Sequence, residues 1–185
     1  ANHSLKFSRQ ERGRNTHSYY VGMSVMATGL ATGQKHFIEE ARNIYDNAMS
    51  TIANDGSLKS ELLRGSRALS YHNYALAPLV MMAEMSRSFG DDWYAKDDYR
   101  IKKLAELVLY GIKDPHWFVV KTKQDQVIPQ GNILGWIEFY EKKATYPNQV
   151  DYLLADKPFI YPGWGGNLTA LAAIDYFAHI NDPTK

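Results

Sequence analysis

Apolar residues recur along this chain at helical spacing and almost nowhere in strict alternation. The clearest stripe runs through Phe37, Ala41, Ile44, Tyr45, Ala48 and Ile52. It predicts an amphipathic helix that ends in the Asp55-Gly56 turn. Upstream, a helix is expected from Asn15 to Thr32, with Asn15 or Thr16 as N-cap and Gly33 as its stop. The longest helical signal covers Ser66 to Phe89 and contains Pro78. Proline should kink or break that helix, because it lacks an N–H and crowds the preceding turn.

Ile101, Leu104, Ala105, Val108 and Ile112 mark the next helix, closed by Asp114-Pro115. Only the short stretch from His116 to Lys121 reads as a strand. Ile133, Trp136, Ile137 and Tyr140 mark a further helix. The Gly/Pro-rich run from Tyr161 to Gly166 then leads into a last helix from Leu168 to Ile180. Residues 1–14 are polar and basic (Lys6, Arg9, Arg12, Arg14) and read as an exposed lead-in. Helices joined by mostly short loops imply antiparallel neighbours, so the fold class expected is all-α, one domain over residues 1–185.

Composition narrows the function classes. The 185 residues are 45% hydrophobic and 22% charged, an ordinary globular balance. A formal net charge of +1 gives no general basic field, which argues against a dedicated nucleic-acid binder. There is no cysteine, so thiol nucleophiles, thiolate metal sites and disulfides are excluded. No run approaches the roughly 20 apolar residues of a membrane span. No secretory signal is recognised, and the chain begins at Ala1 rather than Met. The 13 Tyr and 4 Trp suit either sugar stacking or a helix-packed core.

Two segments carry candidate chemistry. In Asn15-Thr16-His17-Ser18-Tyr19-Tyr20, His17 falls in the first turn of the expected helix. The positive helix end there disfavours an imidazolium, and a neutral imidazole is what a general base needs. The same residues also fit a plain capping segment. In the second segment, Arg67, Tyr71 and Tyr74 are spaced i, i+4, i+7 and share one helix face. A guanidinium beside phenols suits an acidic substrate, because Arg pairs bidentately with carboxylates and Tyr donates or accepts a proton. A polar helix face with stacked rings fits that spacing equally. The six histidines form no metal-ligand pair, and neither a phosphate-binding Gly loop nor a Gly-x-Ser-x-Gly elbow occurs.

The chain resembles alginate lyases of the poly(mannuronate) lyase type (polysaccharide lyase family 5). Four blocks in order carry the resemblance: Asn15 to Tyr20 with Met23-Ser24-Val25-Met26-Ala27-Thr28; Asp55-Gly56-Ser57-Leu58 through Glu61-Leu62 to Arg67-Ala68-Leu69 and Tyr71-His72-Asn73-Tyr74; Ile133 to Glu138; and Trp164-Gly165-Gly166-Asn167-Leu168-Thr169. The resemblance implies an (α/α) barrel or toroid of helical hairpins, a secreted or periplasmic enzyme, and a β-elimination without cofactor or metal. It implies His17, Arg67 and Tyr74 as catalytic residues. It also implies Asn15, Thr16, Tyr20, Arg64, Tyr71, His72, Trp136 and Trp164 around an acidic polysaccharide.

Three positions depart from the family pattern. Thr16 stands for an Asn, Tyr20 for a Trp, and Gly163 for an Arg, which leaves the choice among uronate polymers open. Family members carry a further helical segment before the His motif. Its absence from these residues implies an incomplete toroid that exposes an apolar face to a missing piece or an oligomer partner. A non-catalytic carbohydrate-binding module related to such an enzyme is the alternative.

Overall fold

The computed structural model describes residues 16–141 and 147–174. Asn15, the lead-in over residues 1–14 and the expected last helix beyond residue 174 lie outside them.

Helices α1 (Thr16–Thr32) and α2 (Lys35–Thr51) form the first antiparallel hairpin, and Gly33 turns it in the left-handed region (φ 68°). Two glycines set how closely the pair approaches. A Cβ on Gly22 would lie 2.9 Å from Ile44, and one on Gly29 would lie 2.9 Å from Ile38. Only hydrogen fits at these points. The stripe foreseen on α2 is the one that packs inward: Phe37, Ala41, Tyr45 and Ala48 are buried. A single turn, α3 (Lys59–Leu62), leads through a 3-10 turn at Gly65–Arg67 into α4 (Ala68–Ser86).

The α4 helix is the central element. From Ala75 to Ser86 every residue is buried, the signature of a helix apolar all round and enclosed by its neighbours. Pro78 does not break it, contrary to the expectation from sequence: the helix is continuous from Ala68 to Ser86. Close packing on all sides offsets the single lost backbone bond, a tertiary override of local preference.

Next come α5 (Lys96–Lys113) and α6 (His116–Thr122). The first residues of α5, Asp97 to Tyr99, have left-handed dihedrals (φ 51–55°), so regular right-handed geometry starts at Arg100. The stretch from His116 to Lys121, read above as a strand, is the helix α6. Asp114 Oδ1 accepts from the His116 N–H at 3.0 Å, and Phe118 is fully buried against Leu69 and Leu107. A helical turn brings Phe118 and its backbone partners together in a way the β-branched Val119-Val120 pair does not reveal.

Helices α7 (Ile137–Tyr140), α8 (Pro147–Leu154) and α9 (Leu168–Ala173) complete the described chain. Between α8 and α9 stands a small hairpin whose strands β1 (Ile160–Tyr161) and β2 (Gly166–Asn167) pair antiparallel, Ile160 with Asn167 and Tyr161 with Gly166. One large hydrophobic cluster joins α1, α2, α4, α5, α7 and this hairpin. The all-α expectation holds, with helical hairpins wrapped about α4.

Candidate active site

The N-terminus of α4 is fixed by side chains from a distant segment. Gln124 Oε1 accepts from the Ser66 N–H (2.8 Å), and Gln126 Oε1 accepts from the Leu69 N–H (3.1 Å). The Ser70 hydroxyl donates to the Val127 carbonyl (2.6 Å). The two glutamine bonds satisfy amide donors that a helix start leaves open, and the Ser70 bond ties the same turn to residue 127. They hold Arg67 at the rim of the first turn, where it is exposed.

From Arg67 a continuous row of groups runs inward. The guanidinium carbons of Arg64 and Arg67 lie 4.6 and 5.4 Å from the centre of the Tyr71 ring, within cation–π range. Tyr71 meets Tyr74 edge to face at 6.2 Å, and Tyr74 stacks on Tyr20 of α1 at 4.5 Å. Such ring pairs each contribute about 0.5–1.5 kcal/mol beyond the area they bury. His17 is exposed on α1, three residues before Tyr20 and so on the same helical face. The α1–α4 seam therefore brings His17, Tyr20, Tyr74, Tyr71 and Arg67 to one side of the molecule.

The two arginines are not equivalent. Arg64 Nε lies 3.3 Å from Glu61 Oε2, a fully buried carboxylate that balances its charge. Arg67 has no carboxylate beside it among the described residues. Its charge is therefore not balanced by a neighbouring carboxylate, unlike that of Arg64. Pro78 adds a backbone feature here. Because it has no N–H, the Tyr74 carbonyl, four residues earlier, lacks its helical donor.

The far end of the row is Trp164. It packs on Tyr161 with ring centres 4.4 Å apart and shares the main hydrophobic cluster with Tyr20. Burial pushes the Tyr20 pKa well up, helped by the neighbouring Tyr74 and only partly opposed by Trp164. Neither Tyr20 Oη nor Trp164 Nε1 has a hydrogen-bond partner of good geometry among the described residues, and both atoms are sealed from solvent. Beyond them lies a cavity of about 340 Å³ lined by Met23, Ala27, Met81, Met85, Trp164 and Leu171, apolar walls without a charged group.

Several expected site residues sit elsewhere. His72 is fully buried: its Nε2 accepts from the Leu58 N–H (2.9 Å) and its Nδ1 meets the Ala68 carbonyl (2.7 Å). Both ring nitrogens are thus engaged, and burial lowers its pKa to about 4. It ties the start of α4 to the preceding loop and has no atom left for a sugar. Trp136 is likewise fully buried, with its indole donating to Asn73 Oδ1 at 2.8 Å. Asn73 Nδ2 in turn donates to the Ile133 carbonyl (3.1 Å). Thr16 is buried, with its hydroxyl oxygen closed to solvent. Trp164, at the far end of the row, is only 4% exposed. Tyr161 was not singled out from sequence, although its place beside the Pro162-Gly163 turn signals a residue at a hairpin tip. Among the described residues, no group of three or more His, Cys, Asp or Glu side chains could hold a metal ion.

Helical hairpins about a buried central helix, with the polar row at one seam, define a protein of the (α/α) toroid class. The family model for alginate lyases matches residues 1–118. A polysaccharide lyase of Stenotrophomonas maltophilia is 43% identical over 162 residues, covering 88% of this chain and 48% of that protein. An alginate lyase of Pseudomonas syringae pv. syringae is 36% identical over 159 residues, covering 84% of this chain and 42% of the other. Among solved structures, alginate lyase A1-III in complex with a tetrasaccharide superposes with a TM-score of 0.82 at 26% identity, over 90% of this chain and 50% of that one. Alginate lyase A1-III from Sphingomonas species A1 gives 0.82 at 27% identity, over 90% and 49%. The chain belongs to the alginate lyase family. It spans about half the length of the relatives it matches.

Proposed function

We propose that this chain is the catalytic portion of a polysaccharide lyase that cleaves a uronate polymer such as alginate by β-elimination. The observation that carries the reading is the row from Arg67 through Tyr71 and Tyr74 to Tyr20, with His17 one turn away on the same face of α1. Arg67 pairs with the uronate carboxylate and stabilises the charge that builds there as the C5 proton leaves. His17 or Tyr74, according to the configuration at C5, takes that proton. The C4–O4 bond then breaks, a C4=C5 double bond forms, and the Tyr74 hydroxyl supplies the proton to the departing oxygen. Products are a new non-reducing end bearing an unsaturated uronate and a released sugar hydroxyl.

The comparisons support these roles in kind. The tetrasaccharide complexes of alginate lyase A1-III are those of a tyrosine-to-phenylalanine and a histidine-to-alanine variant. Tyr20, Arg64 and Tyr71 line the path beside the reacting residue, with Asn15 as a further contact. Trp164 closes its end. His72, Trp136 and Thr16 support the wall from behind. The chain acts as a single catalytic domain, alongside a further helical segment or an oligomer partner. A uronate polymer too large to enter a cell is met outside the cytoplasm, which supports a periplasmic or secreted enzyme. No helix among the described residues is long and apolar enough to cross a membrane.

Ultraviolet absorbance of the unsaturated uronate, followed separately with polymannuronate, polyguluronate, polyglucuronate and hyaluronan, tests the reading. A rise is expected with at least one polymer, and Tyr74→Phe should slow it by about 10²–10⁴-fold. Binding of all four without any rise, on folded chain, would overturn it.

A further inference from the structure

The hairpin that carries Trp164 hangs from one buried carboxylate. Glu138 on α7 is only 5% exposed, yet its neighbours Ile137, Phe139 and Tyr140 belong to the hydrophobic cluster. A charge in such a place needs partners. It has two, one at each end of the hairpin. Lys157 Nζ lies 2.9 Å from Glu138 Oε2 on the incoming strand side. On the outgoing side the Thr169 hydroxyl donates to Glu138 Oε1 at 2.5 Å. Thr169 Oγ1 also accepts from the Phe159 N–H (2.9 Å), which ties the two sides together. Asn132 Oδ1 accepts from the Ile160 N–H (2.9 Å), a second anchor from the segment that leads into α7. Gly135 lets that segment sit against the hairpin, since a Cβ there would meet Leu168 at 2.4 Å.

At the opposite end, among the described residues, the tip is held by apolar packing of the buried Trp164 rather than by an ion pair or a side-chain hydrogen bond. Pro162 to Trp164 form one 3-10 turn, and Gly165 and Gly166 follow in left-handed conformations (φ 110° and 92°). Trp164 shares the main hydrophobic cluster with Tyr20, which packs against it from α1, and stacks on Tyr161 of its own hairpin. Among the described residues, neither its indole N–H nor the Tyr20 hydroxyl has a hydrogen-bond partner. The seat of Trp164 is therefore set jointly by this packing and by the polar anchors at the base of the hairpin.

We infer that Glu138, with Thr169 and Lys157, is a positioning device that seats Trp164 against Tyr20 and so fixes how tightly the polymer is held, without touching the reacting atoms. This rests on the row being the substrate path. Glu138 accepts from both sides only as a carboxylate. Glu138→Gln keeps one acceptor but loses the Lys157 ion pair, and Thr169→Val keeps the shape while removing the hydroxyl that links Glu138 to Phe159.

Acrylamide quenching of Trp164 emission, taken as the difference between each chain and its Trp164→Phe counterpart, tests the device without substrate. Trp164 should be shielded in the wild type and in Thr169→Ser, which keeps the hydroxyl. It should become quenchable in Thr169→Val and Glu138→Gln. With polymannuronate, the same two variants should raise KM about threefold to tenfold and leave kcat within about twofold. In a Trp164→Ala background, Thr169→Val should add nothing. Unchanged shielding, a loss confined to kcat, or a Thr169→Val effect that persists in full without Trp164 would each overturn the assignment. If the wild type forms no unsaturated product, the lyase reading falls, while the quenching comparison still decides whether the clamp seats Trp164.

Discussion

Arg67 and Arg64 are three residues apart and touch the same ring, yet only one is available to an anion. Glu61 balances Arg64, whereas Arg67 stands exposed with its guanidinium over Tyr71. A lysine at position 67 would keep the charge but lose both the planar fork and the stacking. Arg67→Lys is accordingly expected to lower kcat/KM about tenfold to hundredfold, the range for losing one or two charge-assisted hydrogen bonds. Steady-state kinetics on the preferred polymer checks this, and wild-type values for the variant would remove Arg67 from the site. At this scale the sequence was readable where geometry alone decides. The i, i+4, i+7 spacing of Arg67, Tyr71 and Tyr74 places them on one face, and the structure keeps them in one row. It was not readable for His72 and Trp136. Both belong to polar-looking motifs, but helical rotation turns His72 away from Tyr71 into the core, and the Trp136 indole finds its partner in Asn73. Residue type cannot tell a ring that meets sugar from one that fills a core.

Elements are positioned by close approach more than by propensity. Gly111 on α5 shows this well. A Cβ there would lie 2.6 Å from Phe118 of α6 and 2.9 Å from Leu69 of α4, so three helices meet over one hydrogen atom. Gly111→Ala improves helix propensity by about 1 kcal/mol but overpacks this junction. A net loss of about 1–3 kcal/mol in unfolding free energy is expected, measured by denaturant titration; a stabilised variant would show that the helices can part freely. The same junction explains why α6 was misread. The Val119-Val120 pair suggests a strand, but burial of Phe118 and the Asp114 cap select the helix. Pro78 was misread for a related reason: local chemistry predicts a break, and burial from Ala75 to Ser86 overrides it. The amphipathic stripe of α2 was legible because one of its faces remains in solvent. A helix enclosed on all sides leaves no such contrast.

For the whole molecule, the buried His72 links stability to acidity. Its pKa is lowered to about 4 from an unfolded value near 6.5, chiefly by burial. A depressed histidine means that the unfolded chain binds the extra proton first. Stability is therefore intact above about pH 6.5 and falls as pH drops towards 4. The loss should reach about 2–3 kcal/mol by about pH 4.5. Unfolding free energies at neutral and mildly acidic pH would show it, and His72→Gln should flatten that dependence even if it lowers stability at neutral pH. An unchanged slope in the variant would mean that other groups govern the acid response. Asp55 and Asp91, held below the usual carboxylate range by hydrogen bonds from Ser57 and from Trp93 and Arg42, contribute in the same direction only at still lower pH.

The ring row between Arg67 and Trp164 has one more consequence. Each tyrosine in it is pinned by the next before any ligand arrives, and a pinned aromatic side chain has almost no rotational freedom left to surrender. The wall is preorganised, so if the row is the polymer path proposed above, the disorder lost on binding belongs to the ligand. On that reading, glycosidic linkages that already hold an extended shape gain the most from this surface, a selection for stiffness as well as for charge.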